Sequence, residues 1–560
     1  MRKEKKIKSF KAIASWLWKT WKGYRTQAVV NTLVGMVVVF TDLAFVWCTK
    51  VAVDIATGNE RHGLQLWHVM VMLVGVVFLQ VTMTVLNRWI RAILGVRGQN
   101  RMQEQLFERI LRSDWQKLRH THTGNLVNRL EQDVSSVMTL LTEHIPSLFT
   151  TLMRFCGAFV LLFYMDRTLA LIVVAIAPFF ALCSRLYVNK MRSISHEVRD
   201  AESDVQSIMQ ESLQHSLVLK TLECIPLQAS RLASSHALLR GKVMERTKYS
   251  SASVALMNTA FALGYLIAFF WGVYGLQQHR ITFGALIAFI QLVSQVQQPV
   301  RTLTRFIPII ISSSTAAERL MELEAFPLEK LPADAAVAHH EENQRVRLTV
   351  ENISFGYEPR ENEKPREIFH DFSATFEPGS VTAILGHTGS GKTTLISLLL
   401  GLLQPTKGKI HATPEGNPSY ELSAATRHLF SYVPQGNTLL SGSIRENLRL
   451  GNPDATDEEM LEALRMAQAD FVIDSPEGLD RLCGERGGGL SEGQAQRVGL
   501  ARALLRKSPI LILDEAFSSL DSDTATTAMS NILAAYPHRT IIYITHREAL
   551  MPYAKQVVRI

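Results

Sequence analysis

The sequence predicts a helical membrane domain of six spans, with long helical extensions into the cytosol, followed by an α/β domain built round a phosphate-binding loop. Three observations carry that expectation. The hydrophobic residues, 47% of 560, crowd before about Ile311, in segments of roughly the 20 residues that cross a hydrocarbon core. Further on, the run ILGHTGSGKTTLISLLL (Ile384–Leu400) breaks an apolar strand with three glycines and opens a helix. Later apolar strands end in polar groups: ILILDE in two carboxylates and IIYITH in a histidine.

The six apolar segments are residues 28–47, 66–86, 145–165, 168–188, 253–274 and 281–300. The first is too long, and its polar lead-in too extended, for a cleaved signal sequence. Trp16, Trp18, Trp21 and Tyr24 alternate with Lys19, Lys22 and Arg25 just before it, which reads as an amphipathic segment in the inner headgroup layer. Spans one and two, three and four, and five and six are joined by short links. The second and third, and the fourth and fifth, are separated by about 60 polar residues each. Those long links keep helical periodicity with few breakers. They read as helices that continue into the cytosol as arms of about 25 residues, projecting roughly 35 Å. An even number of spans leaves both termini on the cytosolic side.

The net charge of +8 is not a nucleic-acid signature. Arg2, Lys3, Lys5, Lys6, Lys8 and Lys11 precede the first span, and Arg88, Arg91, Arg97 and Arg101 follow the second, the positive-inside bias of a membrane protein. No nucleic-acid-binding motif accompanies the charge, so no nucleic-acid partner is expected. Five cysteines show no C-x-x-C pair, so neither zinc nor a disulfide framework is expected.

Within the sixth span, Gln291, Gln295, Gln298 and Thr302 recur four, three and four residues apart. This polar stripe must face protein or water, because an unsatisfied amide in lipid costs kcal/mol. It and Asp42 are the candidates for a substrate path, with Arg154 the other charge inside a span. Residues 1–325 form the expected membrane domain. A linker over 326–345 carries two prolines and no periodicity, and the α/β domain runs over 346–560.

In that domain G-x-x-x-x-G-K-[ST] is a P-loop. Its eight residues are Gly386, His387, Thr388, Gly389, Ser390, Gly391, Lys392 and Thr393, and Thr394 next to them is a further candidate for the ATP site. The glycines let successive N–H groups turn inward on a polyphosphate, and the helix N-terminus adds its dipole. Lys392 can reach the β- and γ-phosphates, and the Thr393 hydroxyl can ligate Mg²⁺. Behind it, in order, come YVPQ ending at Gln435, LSEGQ with Ser491, Gly493 and Gln494, ILILDE with Asp514 and Glu515, SSLD ending at Asp521, and IIYITH ending at His546. Asp514 can hold Mg²⁺ through water, and Glu515 is placed to activate an attacking water. His546 can hydrogen-bond a γ-phosphate. Taken alone, SEGQ reads as a helix capping box between Ser491 and Gln494.

In that order these motifs resemble the nucleotide-binding domain of ABC transporters, where LSEGQ stands for the signature LSGGQ. Residues 111–134, GSIREN (442–447) and LCGERG (482–487) resemble segments of type IV exporters, and the fused order is that of a half-transporter. The resemblance implies a RecA-like ATPase domain with a helical subdomain and a partner half-transporter, either a copy of this chain or a related one. Two ATP molecules, with Mg²⁺, would then be sandwiched between P-loop and opposing signature. It also implies a multi-pass protein of the bacterial inner membrane with its ATPase domain in the cytosol, contacting lipid and a substrate the sequence does not identify: a lipid, a peptide or a hydrophobic small molecule.

By the same resemblance Tyr357 stacks on adenine, and Gln435 serves the metal and links it to the membrane domain. Ser491 and Gly493 contact the opposing γ-phosphate, and Asp521 communicates across the dimer. Glu492 stands where the family has its first glycine. Export is the expected direction. The alternatives are an ATP-gated sensor or channel of the same fold, and a type IV importer.

Overall fold

The computed structural model describes residues 10–58, 65–119, 121, 123–329, 344–357, 366–416, 418–484 and 488–560, without the side chains of 10, 176–189, 192, 300, 301, 304, 305, 307 and 366. The cationic residues before Phe10, most of the expected linker and the last three residues of LCGERG lie outside the described residues. The chain divides into two compact units, residues 1–108 with 123–325 and residues 109–122 with 326–560.

The first unit is helical. A short helix, Phe10–Thr20, precedes six long ones: Arg25–Ala56, Leu66–Leu111, a third that ends as Ile145–Met165, Arg167–Gln214, Ile225–Gln277 and Phe283–Glu324. Among the described residues four helices are long and apolar enough to cross a membrane: Arg25–Ala56, Leu66–Leu111, Thr123–Met165 and Ile225–Gln277. The expected fourth and sixth spans lie in the remaining two. In the sixth, Gln291, Gln295, Gln297 and Gln298 dilute an otherwise apolar run. In the fourth, the side chains at its middle are not described.

Polar caps fix the turns between these helices. Asp166 accepts from Leu169 N at 2.9 Å and from Trp271 Nε1 at 2.9 Å, which starts the fourth helix and ties it to the fifth. Thr282 caps the sixth, and Asp54 of the first accepts from Gly284 N at 2.9 Å. The core of the bundle is Val46, Ala158, Leu162, Leu169, Ala268, Phe289, Leu292 and Val293, all buried. Gly35 permits one close approach, since a Cβ there would stand 2.6 Å from Thr150 Cγ2 of the third helix. By contrast Trp67, Val74 and Phe78 of the second helix are exposed, as side chains facing lipid are.

The second unit has three sheets. β1 (Val346–Tyr357), β2 (Arg366–Phe376), β4 (Lys407–Pro414) and β5 (Tyr420–Glu421) form an antiparallel sheet in the order β2-β1-β4-β5. A five-stranded parallel sheet is ordered β11-β3-β10-β9-β6, from β3 (Val381–Leu385), β6 (Phe430–Val433), β9 (Ile510–Asp514), β10 (Thr540–Ile544) and β11 (Gln556–Arg559). β7 (Gly442–Ser443) and β8 (Leu482–Cys483) make a small ribbon.

Continuous apolar runs suit a parallel sheet covered on both faces, and the alternation of side chains is visible in the two cores. Ile510, Ile512, Ile542 and Ile544 enter one core with the P-loop helix Lys392–Leu399. Leu511, Leu513, Ile541 and Tyr543 enter the other with helices Glu492–Leu505 and Ser522–Ala535.

The start of the expected linker is not free. Leu328 pairs with Ser113 as an antiparallel bridge, Glu329 N donates to Arg112 O at 3.0 Å, and Arg427 holds the Glu329 carboxylate with two bonds of 2.7 and 2.8 Å. That pairing is why residues 109–122 fold with the second unit.

Candidate functional site

Parallel strands all end on the same edge, and four of the five, β3, β10, β9 and β6, deliver polar residues there. The register is direct: Ile544 lies opposite Asp514 and Ile384, and Val433 opposite Leu513. Along the edge therefore stand the P-loop after β3, His546 after β10, Asp514 and Glu515 at the end of β9, and Gln435 after β6.

The P-loop needs its glycines. Gly389 and Gly391 have φ of 83° and 109°, a region that side-chain-bearing residues avoid. A Cβ on Gly391 would lie 2.6 Å from Ile368 Cγ2, and one on Gly386 would lie 2.8 Å from Ile560 O. Lys392 is buried, and its Nζ donates to Gly386 O at 2.8 Å and His387 O at 3.1 Å, inside the concavity of the loop. The Ser390 hydroxyl is buried with no hydrogen-bond partner. An orphaned hydroxyl, an ammonium held only by carbonyls and a helix N-terminus are the donor set a polyphosphate satisfies.

Beside the loop, Asp514 is buried and accepts from Tyr432 OH at 3.3 Å. Burial pushes its carboxyl up to about 6, with the neighbouring Glu515 charge adding to the shift and the Tyr432 and Thr393 hydroxyls opposing it. Burial, and then Asp514 itself, raise the Tyr432 phenol well above its ordinary value. A divalent cation would restore the charge on Asp514. Among the described residues no group of three or more His, Cys, Asp or Glu could hold a metal by itself. This suits Mg²⁺, which takes one or two protein ligands and completes its shell with phosphate and water. Thr393 and Asp514 fit that role.

Glu515 has φ of 50°, a left-handed conformation that costs about 1 kcal/mol for such a residue. Its N–H donates to Ile544 O at 3.3 Å, and its carboxylate is gripped from two sides. Gln435 Nε2 donates to Oε2 at 2.7 Å, and His546 Nε2 stands 3.6 Å from Oε1. The three residues expected to be catalytic thus meet at one carboxylate. Tyr357 sits apart from them. Its hydroxyl is 3.1 Å from Thr394 Oγ1 and accepts from Arg119 Nη1 at 3.1 Å, and the Arg119 guanidinium stands 5.4 Å from the ring centroid.

The signature forms the capping box its spelling suggests. Gln494 N donates to Ser491 Oγ at 3.2 Å, and Ser491 N to Gln494 Oε1 at 3.0 Å. Gly493 packs against the SSLD turn, where a Cβ would stand 2.8 Å from Ser519 O. Glu492 is exposed. Asp521 caps the next helix, accepting from Thr524 N at 2.8 Å, and that bond holds its carboxyl below the usual range. Among the described residues no hydrogen bond joins Ser491–Gln494 to the chain's own P-loop.

The membrane candidates fall in two places. Asp42 and Arg154 form an ion pair between the first and third long helices, and Gln80 Nε2 donates to Asp42 at 2.6 Å. They line a cavity of about 530 Å³ together with Gln298 and Thr302. Gln291 and Gln295 are not on its wall, and each buries a side-chain oxygen with no partner.

Several participants were not expected. Tyr432 on Asp514, Arg119 on Tyr357, and Gln496, which bridges to Ser518 Oγ at 3.1 Å and Ser519 N at 3.2 Å, carry no local motif. Asn31, Asn87 and Arg91 also line the cavity. Polar residues within or just beyond an apolar span were the signal that could have found them.

Comparison with known proteins follows the same division. The family model for the ABC transporter transmembrane region matches residues 29–300, and the ABC transporter model matches residues 369–518. The chain is 25% identical over 554 residues to the uncharacterised ABC transporter ATP-binding protein YknU of Bacillus subtilis, covering 99% of this chain and 92% of that one. It is 26% identical over 544 residues to the putative multidrug export ATP-binding/permease protein YgaD of the same organism, covering 96% and 92%. A similarly named Staphylococcus aureus protein is 28% identical over 442 residues, covering 78% and 75%. Among solved structures, a bacterial Atm1-family ABC exporter with ATP bound superposes with a TM-score of 0.78 at 24% identity, over 96% of this chain and 94% of that one.

Proposed function

Because the chain belongs to the ABC transporters, with the membrane region and the ATPase fused in one polypeptide, we propose that two such chains pair and couple hydrolysis of Mg²⁺-ATP to export of hydrophobic or amphipathic molecules across the bacterial inner membrane. The chain is an integral membrane ATPase. The observation that carries the coupling chemistry is the Glu515 carboxylate, held between Gln435 and His546 beside the P-loop.

From that position Glu515 takes a proton from a water aligned with the γ-phosphate. Lys392 exchanges its two carbonyl bonds for phosphate oxygens, and Ser390 finds its missing partner. Thr393 and Asp514 would hold Mg²⁺, which supplies charge neutralisation at the phosphates. His546 orients Glu515 and reaches the γ-phosphate. Gln435 senses the site through its bond to Glu515.

Pairing is supported by what one chain leaves open. Ser491 and its helix N-terminus have no phosphate loop of their own to serve. At the turn between the fourth and fifth long helices Leu213, Leu217, Leu222, Ile225 and Leu227 are all more than half exposed, a concentration of apolar surface that a second subunit would cover. Export of drug-like compounds accords with the names of the two relatives described as multidrug exporters.

The test is Glu515→Gln in protein reconstituted into sealed vesicles. ATP binding should persist while hydrolysis and ATP-dependent dye movement fall together by at least about a hundredfold. Movement that survives the loss of hydrolysis would point instead to an ATP-gated channel.

A further inference from the structure

The cavity of about 530 Å³ in the helical unit is walled by the first, second, third and sixth long helices. On the expected topology the wall runs from the cytosolic ends of these spans, with Asn31 near the start of the first, Arg91 just past the end of the second, Ser147 at the start of the third and Gln298 at the end of the sixth, up to Asp42 and Arg154 near mid-membrane. Its wall is unusually polar for a place among membrane helices.

Among the described residues three charged side chains reach it, and two cancel. Asp42 pairs with Arg154 and takes a further bond from Gln80. Arg91 has no carboxylate within ion-pair distance among the described residues, and its buried Nε has no hydrogen-bond partner. Asn31, also fully buried, leaves its side-chain oxygen unpartnered. Among the described residues the cavity therefore holds one uncompensated positive charge beside one unsatisfied amide oxygen. Such a cation inside a membrane domain is expensive unless an anion meets it.

A second observation lies one residue away on each helix. Val30, Trp89, Ile90, Ile93 and Leu94 line a separate, mostly apolar cavity of about 440 Å³ on the neighbouring face of the first and second helices, with Thr26, Gln27 and Arg97 at its polar end. A polar chamber with a free cation and an apolar groove on the same two helices match the two ends of an amphiphile.

Resting on the reading of the chain as an exporter, we propose that the polar cavity binds the anionic head group of an amphiphile drawn from the cytosolic side. The Arg91 guanidinium receives its phosphate, sulfate or carboxylate. The surrounding amides and hydroxyls receive polar substituents, and the groove of Trp89 and Ile93 receives the apolar chain.

The test uses full-length protein in phosphatidylcholine nanodiscs, with ATPase rate expressed as the ratio to each variant's own unstimulated rate. Dodecyl phosphate should stimulate. Dodecyl maltoside and dodecyltrimethylammonium should not. Arg91→Gln should raise the half-maximal dodecyl phosphate concentration by about tenfold or more, the loss of one charge-assisted contact, and Arg91→Lys should recover part of it. Equal response to the three amphiphiles, or an unchanged response in a folded Arg91→Gln, overturns the proposal. If Arg91→Gln fails to fold, Arg91→Lys decides: retained preference for the anion supports it, and a lost preference overturns it. Replacing a fifth of the lipid by phosphatidylglycerol separates the sources, because a lipid head group would compete with the added anion and a soluble amphiphile would act unopposed. Absence of any Glu515-dependent hydrolysis would instead sink the transporter reading itself.

Discussion

The nucleotide edge and the membrane cavity place charge by opposite means. At the edge, strand register sets every position. Four parallel strands end together, and backbone N–H groups, one lysine and two adjacent carboxylates fall into place with little side-chain freedom. In the cavity, geometry rests mainly on side chains that join helix to helix, such as Asp42 with Arg154 and Asn87 with the Asn31 backbone carbonyl at 2.9 Å. Sites fixed by backbone should lose function sharply on mutation and keep their fold. Sites fixed by side-chain pairs should lose fold and function together.

The largest effect should come from Lys392→Ala. Its Nζ is the only ammonium bonded within the P-loop among the described residues. Losing two charge-assisted phosphate contacts at about 1.5–3 kcal/mol each should weaken ATP binding by at least about a hundredfold. Circular dichroism and melting temperature should stay near those of the parent. A collapse of folded protein on this change would erase the distinction between backbone-held and side-chain-held sites.

Asp514 gives the next effect, and it has a pH signature. Its folded carboxyl titrates at about 6 against an ordinary 3.8. Between those values the folded chain holds a proton that the unfolded chain has released, so acid favours the fold in that window. Stability from this group falls as pH rises from about 4 to about 6, then levels off. Without nucleotide, Asp514→Asn should therefore be more stable than the parent at pH 7.5 by about 3 kcal/mol, with the gap closing near pH 4. Hydrolysis should be lost at both. Denaturant melts of the nucleotide-free protein at the two pH values measure this, and a gap that is constant with pH would contradict the buried, unneutralised carboxylate.

How well each site could be read from the chain follows from the same contrast. The P-loop, Gln435, Glu515 and His546 were legible because a strand end and the loop after it are contiguous in sequence, and parallel pairing then does the assembly. The pair of cores was equally plain in ILILDE and IIYITH, whose alternate residues enter opposite faces. The cavity was not legible. Asp42 and Arg154 each stood out as a charge in an apolar span, yet nothing local says that the first helix meets the third at that height. The glutamine stripe shows the limit from the other side: period alone put four residues on one face, and the structure sends Gln298 and Thr302 to the cavity but not Gln291 or Gln295. At the start of the expected linker the pairing was hidden for a related reason, since the backbone bonds of Leu328 and Glu329 come from residues 112–113, more than two hundred positions earlier.

The Asp42–Arg154 pair tests the side-chain half of the comparison directly. Arg154→Ala leaves Asp42 uncompensated, and Asp42→Asn leaves Arg154 so. The double change removes both charges. The two side chains are 13% and 30% exposed, so the penalty for a lone charge should be well below that of a fully buried one, about 1–3 kcal/mol. In thermal melts of detergent-solubilised protein, each single variant should be less stable than the double variant, with that coupling energy. Single and double losses that simply add would mean the pair does not join the helices.

The smallest effect belongs to Glu492, the residue that departs from the signature. It lies on the backbone-fixed side, and the comparison says its influence should be slight because nothing in the fold depends on it. Its side chain is exposed at the first turn of the helix Glu492–Leu505, where it bonds to nothing among the described residues while Ser491 and Gln494 complete the cap without it. A carboxylate there is favoured by the helix dipole by about 0.3–1 kcal/mol, and glycine costs roughly another 1 kcal/mol in a helix. Glu492→Gly should thus lower stability by about 1 kcal/mol, since the first turn feels less than the full cost of an interior glycine. It should leave the Michaelis constant for ATP within about twofold, as expected for a charge that solvent screens. A large fall in that constant, with stability unchanged, would mean that the carboxylate turns toward a nucleotide held by the partner chain and repels it. A rise would fit neither geometry.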